Sequence, residues 1–285
     1  MSSTKRHIVL LFNPHAGSGR GVSFIHPLTE YLSQQQLVFT VFSKDWPKDL
    51  LLYSDAWIIG GDGTLNFFVN RYPDCSIPIT VFPGGSGNDF FWLLYGDRSF
   101  PELVEIALRG KLTHIDAGVC NEKLFLNGIG VGFDGSIAQS LMRKNKKPGI
   151  ASYWTAVIRQ LFFYRERSYV VQSHEYAAEG KHLLIDCMNG KRSGGGFLVA
   201  PEASASDGLL DVMLCTQLKW WKRLRYLPVI QKGLHTRLPF VTCYCTRELR
   251  ISTQNYMEAH MDGEFMQARE MMIRILPGKF LFRIP

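Results

Sequence analysis

Long apolar stretches are missing from this chain. The longest runs, such as His7 to Phe12 and Leu50 to Tyr53, fall far short of the roughly 20 residues that a membrane-spanning helix needs. An integral membrane protein is therefore not expected. Lys5 and Arg6 do precede an apolar stretch, but it stops at Asn13-Pro14, too soon for the core of a signal peptide. With no targeting address in view, the chain reads as cytoplasmic. Zinc-type spacing is missing as well. The six cysteines (Cys75, Cys120, Cys187, Cys215, Cys243 and Cys245) form no C-x-x-C pair and stand in no zinc pattern with histidine. They read as reduced, mostly buried thiols. There are no long linkers, internal repeats or low-complexity tracts, and the eight histidines form no ligand cluster.

What is present is globular in composition. The chain has 285 residues, 46% of them hydrophobic and 20% charged. At roughly 150 residues per domain this is one large domain or two medium ones, enough to bury a core without disulfides or a structural metal. Lys and Arg number 32 against 25 Asp and Glu, a net charge of +7. That balance favours anionic partners, such as nucleotides, nucleic acid or acidic lipid surfaces, without choosing among them.

The first 120 residues or so alternate strand and helix patterns. His7–Phe12, Leu37–Phe42, Ala56–Ile59 and Ile77–Phe82 read as strands. Val22 to Gln35 and Pro101–Arg109 read as helices, the latter with Leu103, Ile106 and Ala107 on one face. Continuous apolar strands separated by helices imply a parallel sheet covered on both sides. After Asp116 the strand candidates crowd together: Lys123–Gly128, Ser168–Ser173, Leu183–Met188, Phe197–Val199, Leu209–Leu214, Phe240–Cys245, Leu249–Ser252 and Met272–Leu276. Asp207-Gly208 and Asp262-Gly263 punctuate them as turns, and helical patches interrupt at Ser136–Arg143 and Ala151–Tyr164. This half reads as a largely antiparallel second domain, with the boundary near residues 116–122.

Three glycine-rich loops follow predicted parallel strands at their carboxyl ends, the edge where open α/β sheets bind ligands. The first runs from Asn13 to Gly21. Its glycines let backbone amides turn toward one anion, and the next helix adds its positive end. It is not a Walker A loop, because no G-x-x-x-x-G-K-[S/T] is present, nor a dinucleotide fingerprint, because Val22 stands where G-x-G-x-x-G needs its last glycine. Alone, it is equally an ordinary strand–helix turn. The second, Gly60-Gly61-Asp62-Gly63-Thr64, opens a helix that Thr64 can cap. Asp62 beside a phosphate site calls for magnesium as mediator, unless it only caps backbone. The third, Pro83 to Asp89, repeats the logic. Ser86 stands among its phosphate-facing amides, and Asn88 or Asp89 caps the next helix. Farther on, two carboxylates flank Gly263. On spacing alone Asp262-Gly263-Glu264 is a hairpin turn.

Together these segments resemble the catalytic-domain family of diacylglycerol kinases, sphingosine and ceramide kinases and bacterial lipid kinases. The matching residues are Asn13-Pro14 with Gly17 and Gly19, Gly60 to Asn66, and Pro83 to Phe90. Asn127 to Asp134, Pro201, Asp207 to Val212 and Asp262-Gly263-Glu264 complete the set. They run in order across nearly the whole chain. The resemblance implies a fold of class α/β plus β: an N-terminal Rossmann-like three-layer α/β nucleotide-binding domain, a C-terminal β-sandwich-like domain, and an active site in the cleft between them. It places an ATP-binding domain at 1–118 and a mainly antiparallel lipid-substrate domain at 119–285, whose last strand returns to the first. Family ATP contacts fall on Asn13, Pro14, His15, Ala16, Gly17, Ser43, Gly61, Asp62, Gly63, Thr64, Leu65, Asn66, Phe67 and Ser86. Asp62, Asp89, Asp262 and Glu264 match acids linked to catalysis and magnesium, with Glu264 favoured as the base and Asp262 close behind. Ser204, Asp207 and Leu209 match a second, structural magnesium site in bacterial members. Asp134 lies in a segment like one that contacts lipid in sphingosine kinases. One departure is Phe67, where the family usually carries Glu.

The resulting expectation is an ATP- and Mg2+-dependent lipid kinase, with diacylglycerol as first candidate acceptor and phosphatidic acid as product. The alternatives are an NAD kinase-like or other small-molecule kinase on the same scaffold, or a non-catalytic nucleotide-dependent lipid-binding protein. Lys219 to Tyr226 interleaves Trp and Tyr with Lys and Arg, a composition suited to an anionic membrane surface and equally to a helix with buried Trp. Arg143-Lys144-Asn145-Lys146-Lys147 would add to such a face. Peripheral contact with the inner membrane face is expected, nucleic acid is not, and a homodimer is left open.

Overall fold

A computed structural model describes residues 6–142 and 150–285. The chain divides into two compact units, residues 1–115 with 278–285, and 116–277. The cationic run from Arg143 to Lys147 lies outside the described residues.

In the first unit, runs of apolar residues without a polar face become strands buried on both sides. These are β1 (His7–Phe12) and β3 (Asp55–Gly60), with β2 (Val38–Phe42) and β4 (Ile79–Pro83) beside them. They pair parallel in the order β2-β1-β3-β4. The chain returns at its end, where Phe282 of β13 (Glu264–Ile284) pairs parallel with Ile79. Because β2 and β3 lie on opposite sides of β1, the connections diverge between β1 and β3. That is the switch point at which ligands enter open parallel sheets. Four helices complete the unit: α1 (Val22–Gln34), α2 (Asp62–Arg71), α3 (Asp89–Tyr95) and α4 (Phe100–Arg109). The start of α4 is fixed by a Ser99/Glu102 capping box. At the opposite end of the sheet Asp55 is buried and accepts both Arg6, at 2.6 and 2.8 Å, and Arg283, at 3.0 Å.

The second unit is mainly antiparallel. β5 (Lys111–Cys120) leads into a hairpin with β6 (Lys123–Phe125), followed by β7 (Gly128–Gly132), α5 (Phe133–Met142), α6 (Ile150–Phe163) and β8 (Arg167–Gln172). Then come β9 (Ala177–Met188), β10 (Leu210–Thr216), α7 (Trp220–Gln231), β11 (Val241–Thr246) and β12 (Glu248–Met261). β7 and β8 each pair with both β9 and β12, so these four strands close on themselves. Alternate residues point inward: Ile129 and Val131, Tyr169 and Val171, Ile185 and Cys187, Ile251 and Ala259 form one core. The other face of β9, through Leu184 and Met188, packs on Phe133, Val157 and Leu161 of α5 and α6.

Two strand expectations are corrected. Lys123–Gly128 is not one strand, because the chain breaks at Leu126-Asn127 and the glycine-rich run that follows is itself β7. Phe197–Val199 forms only an isolated bridge between Ser193 and Phe197, since the three preceding glycines all take positive φ and curl the backbone.

Candidate active site

The three glycine loops of the first unit touch backbone to backbone. A Cβ built on Gly61 would lie 2.6 Å from the Cα of Gly85, and one on Gly85 would lie 2.4 Å from the Cα of Gly61. A Cβ on Gly17 would lie 2.3 Å from the carbonyl oxygen of Gly84. No side chain fits between the loops, which is why the sequence keeps glycine at these places. The amide of Gly84 donates to the carbonyl of Gly60 at 2.8 Å, and that of Asn13 to Ile59 at 3.1 Å. Side chains add further ties. Asn13 Nδ2 donates to Thr64 Oγ1 at 3.1 Å, Asn13 Oδ1 accepts the amide of His15 at 3.0 Å, and Arg20 reaches Ser86 Oγ at 3.3 Å.

Beside these loops opens a cleft of about 580 Å3, within the usual size of a small-molecule site. Of the residues expected to bind nucleotide, Asn13, Pro14, His15, Ser43, Gly63, Thr64 and Phe67 line it. Ala16, Gly17, Gly61 and Ser86 belong to the same loops, and Asp62 and Asn66 to α2, without lining it, and Leu65 is a core residue at 2% exposure. Sequence reasoning missed Lys44, Trp46 and Arg71, which also line the cleft. Phe67 and Trp46 meet edge to face with centroids 5.2 Å apart, and Arg71 holds the Trp46 carbonyl at 2.8 Å. A Trp in a loop directly after a parallel strand was the available signal. Its partner on the next helix was not visible.

Capping differs from expectation. Thr64 does not cap α2, because its hydroxyl is turned to Asn13. Neither Asn88 nor Asp89 caps α3 with its side chain; Asn88 folds back on Gly85, accepting its amide at 2.9 Å. The cap comes from another loop. Asp62 Oδ2 accepts the amide of Asp89 and Oδ1 that of Phe90, both at 3.1 Å. A carboxylate at a helix N-terminus meets positive potential. Each oxygen of a carboxylate has two lone-pair directions, so accepting an amide does not by itself bar it from a cation. Among the described residues no three His, Cys, Asp or Glu side chains gather as a complete metal cage. Magnesium typically takes one or two carboxylates and completes its shell with phosphate and water. The donor set at Asp62, with Asp89 at the adjoining helix start, fits such an ion.

In the second unit the Asp262-Gly263 pair makes the two-residue turn between β12 and β13, both residues at positive φ. Asp262 is buried, and its carboxylate accepts the amides of Leu126, Asn127 and Gly128 at 2.9, 2.9 and 3.0 Å. It holds the glycine-rich entry to β7 in place. Glu264 is exposed at the start of β13. The Gly263 amide points to His260 Nδ1 at 3.4 Å, and His260 Nε2 stands 4.0 Å from Asp134 Oδ2. Ser204, Asp207 and Leu209 share one turn, in which Asp207 Oδ1 accepts the Leu209 amide at 3.0 Å and Asp116 accepts the Gly208 amide at 2.7 Å.

Comparison with known proteins gives two family matches. Residues 7–120 match the diacylglycerol kinase catalytic domain. Residues 127–282, more than half of the chain, match the YegS C-terminal NAD kinase beta sandwich-like domain. A diacylglycerol kinase of Mycobacterium tuberculosis is 28% identical over 276 residues, covering 90% of this chain and 88% of its own. The "Probable lipid kinase YegS-like" of Shewanella frigidimarina is 26% identical over 232 residues, covering 79% of this chain and 75% of its own. The crystal structure of a diacylglycerol kinase from Bacillus anthracis superposes with a TM-score of 0.69 at 17% identity, over 100% of this chain and 98% of that one, which shows a shared fold.

Proposed function

The chain belongs to the diacylglycerol kinase catalytic-domain family and is a lipid kinase, and from that premise we propose that it moves the γ-phosphoryl group of ATP, with Mg2+, to a lipid hydroxyl. Diacylglycerol is the first candidate acceptor and phosphatidic acid its product. The observation that carries this reading is the close-packed trio of glycine loops beside the 580 Å3 cleft. Their packing fixes the backbone amides before any ligand arrives, so holding a triphosphate costs little reorganisation.

In this reading Asn13, Pro14, His15, Ser43, Gly63, Thr64 and Phe67 form the nucleotide wall, with Gly17, Gly61 and Ser86 in the phosphate loops. Asp62 and Asp89 would hold the magnesium ion, which when bound offsets charge on the β- and γ-phosphates. Glu264 takes the proton of the lipid hydroxyl as the new O–P bond forms and the bond to the leaving ADP breaks. Asp262 is a positioning residue, its carboxylate being turned to three amides. Ser204, Asp207 and Leu209 keep the role of a second, structural cation turn.

The lipid sits in a bilayer, so the kinase must work at its surface. No described helix is long and apolar enough to cross a membrane. A docking face is available instead on α6 and α7. Ile158, Phe162, Phe163, Trp220, Trp221 and Leu224 are all exposed there, and the Phe162 and Trp220 rings lie 5.3 Å apart. Arg159, Lys219, Lys222 and Arg225 stand among them, and neither helix carries an acidic residue. Aromatics among cations complement an anionic lipid surface such as the inner membrane face.

Incubation with ATP, Mg2+ and vesicles holding a lipid panel, followed by mass spectrometry, tests the reading. Diacylglycerol should gain one phosphate; transfer to none of the lipids by folded protein would overturn it. Asp62→Ala should abolish transfer and, with the α3 cap gone, cost about 1–2 kcal/mol of stability.

A further inference from the structure

β9 holds an acid where its pattern calls for an apolar side chain. Leu184, Asp186 and Met188 share one face of the strand, and the two flanking residues belong to the core beneath the helices. Asp186 is only 1% exposed, and its Oδ2 has no hydrogen-bond partner among the described residues. Burying such a group costs stability, so native structures rarely keep one without a use. The side chain lines a cavity of about 50 Å3 whose other walls include Phe133, Val157, Phe197 and Leu227, with Asp134 beside it. A Cβ on Gly130, directly across the ladder, would lie 2.9 Å from Asp186 Oδ1, 3.0 Å from Asp134 Cβ and 2.5 Å from His260 Nε2. Glycine at this position lets the three polar groups draw together.

The chemistry of the cavity narrows what it can receive. Burial, with the charge of Asp134 next to it, pushes the Asp186 carboxyl well above the usual carboxylate range. A neutral carboxylic acid is a hydrogen-bond donor, and this one faces apolar walls. Its complement is a hydrogen-bond acceptor on an apolar chain. The described lining is mostly apolar and its charged groups are the acids Asp134 and Asp186, which disfavours an anionic head. A space of about 50 Å3 admits a carbonyl and the first methylenes of a chain rather than a whole acyl tail.

We propose that Asp186 is a specificity-determining residue for the lipid, donating a hydrogen bond to an acyl carbonyl of the acceptor so that an ester-bearing glycerolipid is preferred to an ether analogue without that carbonyl. The inference rests on the lipid-kinase reading and sharpens its substrate class.

The test compares kcat and KM for a diacylglycerol and the dialkyl ether glycerol of equal chain length, in the same vesicles, for the wild type, Asp186→Leu and Asp186→Asn. The wild type should favour the diacyl lipid about five- to tenfold, chiefly through KM, the effect of one net hydrogen bond. Asp186→Leu should bring the ratio to about one while melting no lower than the wild type, because a buried unpartnered acid has gone. Asp186→Asn, whose amide also donates, should restore most of the preference. A merely structural role would move stability without touching the ratio. If the wild type phosphorylates both lipids equally, the inference fails while the kinase reading stands, whether or not the variants fold. An unchanged ratio in Asp186→Leu also overturns it. Transfer to neither lipid overturns both readings.

Discussion

Phe67 gives the proposed nucleotide cleft a chemistry of its own. Just over half of its surface is exposed, yet its ring meets Trp46 at 5.2 Å. The pair builds an aromatic wall onto a loop region otherwise rich in glycine. Edge-to-face aromatic contacts contribute about 0.5–1.5 kcal/mol beyond area burial, so Phe67→Ala should raise the KM for ATP about three- to tenfold. The melting temperature should stay within a few degrees, since Phe67 is not a core residue. Unchanged nucleotide affinity would show that the wall does not meet the base. His235 bears on pH. It is fully buried, its Nε2 lies 3.0 Å from the Val199 carbonyl, and its Nδ1 has no partner among the described residues. Burial lowers its pKa below the ordinary 6.5. The unfolded chain then binds a proton that the fold resists, so this contribution to stability is complete above about pH 6.5 and declines as pH falls below it. Denaturation across pH should show that decline, and His235→Gln should reduce it, the rest falling to His182, whose pKa burial also lowers. A variant with the same slope as the wild type would assign the acid sensitivity elsewhere.

Among the elements, α6 and α7 act as a pair. Arg223 is buried and donates to the carbonyls of Leu218, Leu161 and Tyr164 and to Glu166 at 2.6 Å, so the start of α7 is held against the end of α6. The exposed aromatics of both helices are thereby set on one rigid footing. Phe163→Ser combined with Trp221→Ser should weaken binding to vesicles containing anionic lipid at least tenfold, given about 1.5–3 kcal/mol for each large apolar side chain inserted. Binding should also fall with salt because of the cations between them. Equal sedimentation of variant and wild type with vesicles would remove the face from the reading. These elements show how much the sequence discloses. The four strands of the first sheet and α4 were readable because their apolar periods are unbroken. β5 was not, since its buried half from Ile115 to Cys120 follows an exposed polar start. β7 was not read as a strand of its own, because three of its five residues are glycine. The glycine loops were legible as motifs, whereas their partners were not. Asp62 caps amides 27 residues away, and Asp262 holds one 136 residues away. Such roles depend on long-range closure, which local spacing does not encode.

At the scale of the whole molecule the chain makes two units by crossing twice, after Ile115 and again after Pro277. The first unit is therefore built from both ends of the sequence, and its last strand residues must be kept on the sheet once they arrive. Pairing of Phe282 with Ile79 supplies one anchor. Asp55 supplies another, because it joins Arg6 near the start of the chain to Arg283 near its end, 228 residues away from it. The side chain of Asp55 is 4% exposed, whereas the two arginines are 25% and 16% exposed, so the anion is the component that water cannot replace. Removing it leaves two cations facing one another beside the carbonyls of Ala107, Leu108 and Gly110. Breaking a buried ion network by deleting one partner costs about 3–5 kcal/mol. Asp55→Ala should therefore lower the denaturation midpoint of the unit formed by residues 1–115 and 278–285. The transition of residues 116–277 should stay where it was, so that one cooperative unfolding curve separates into two. Equal shifts in both transitions would mean that the two units unfold as one, and no shift at all would mean that the arginines reach other partners at no cost.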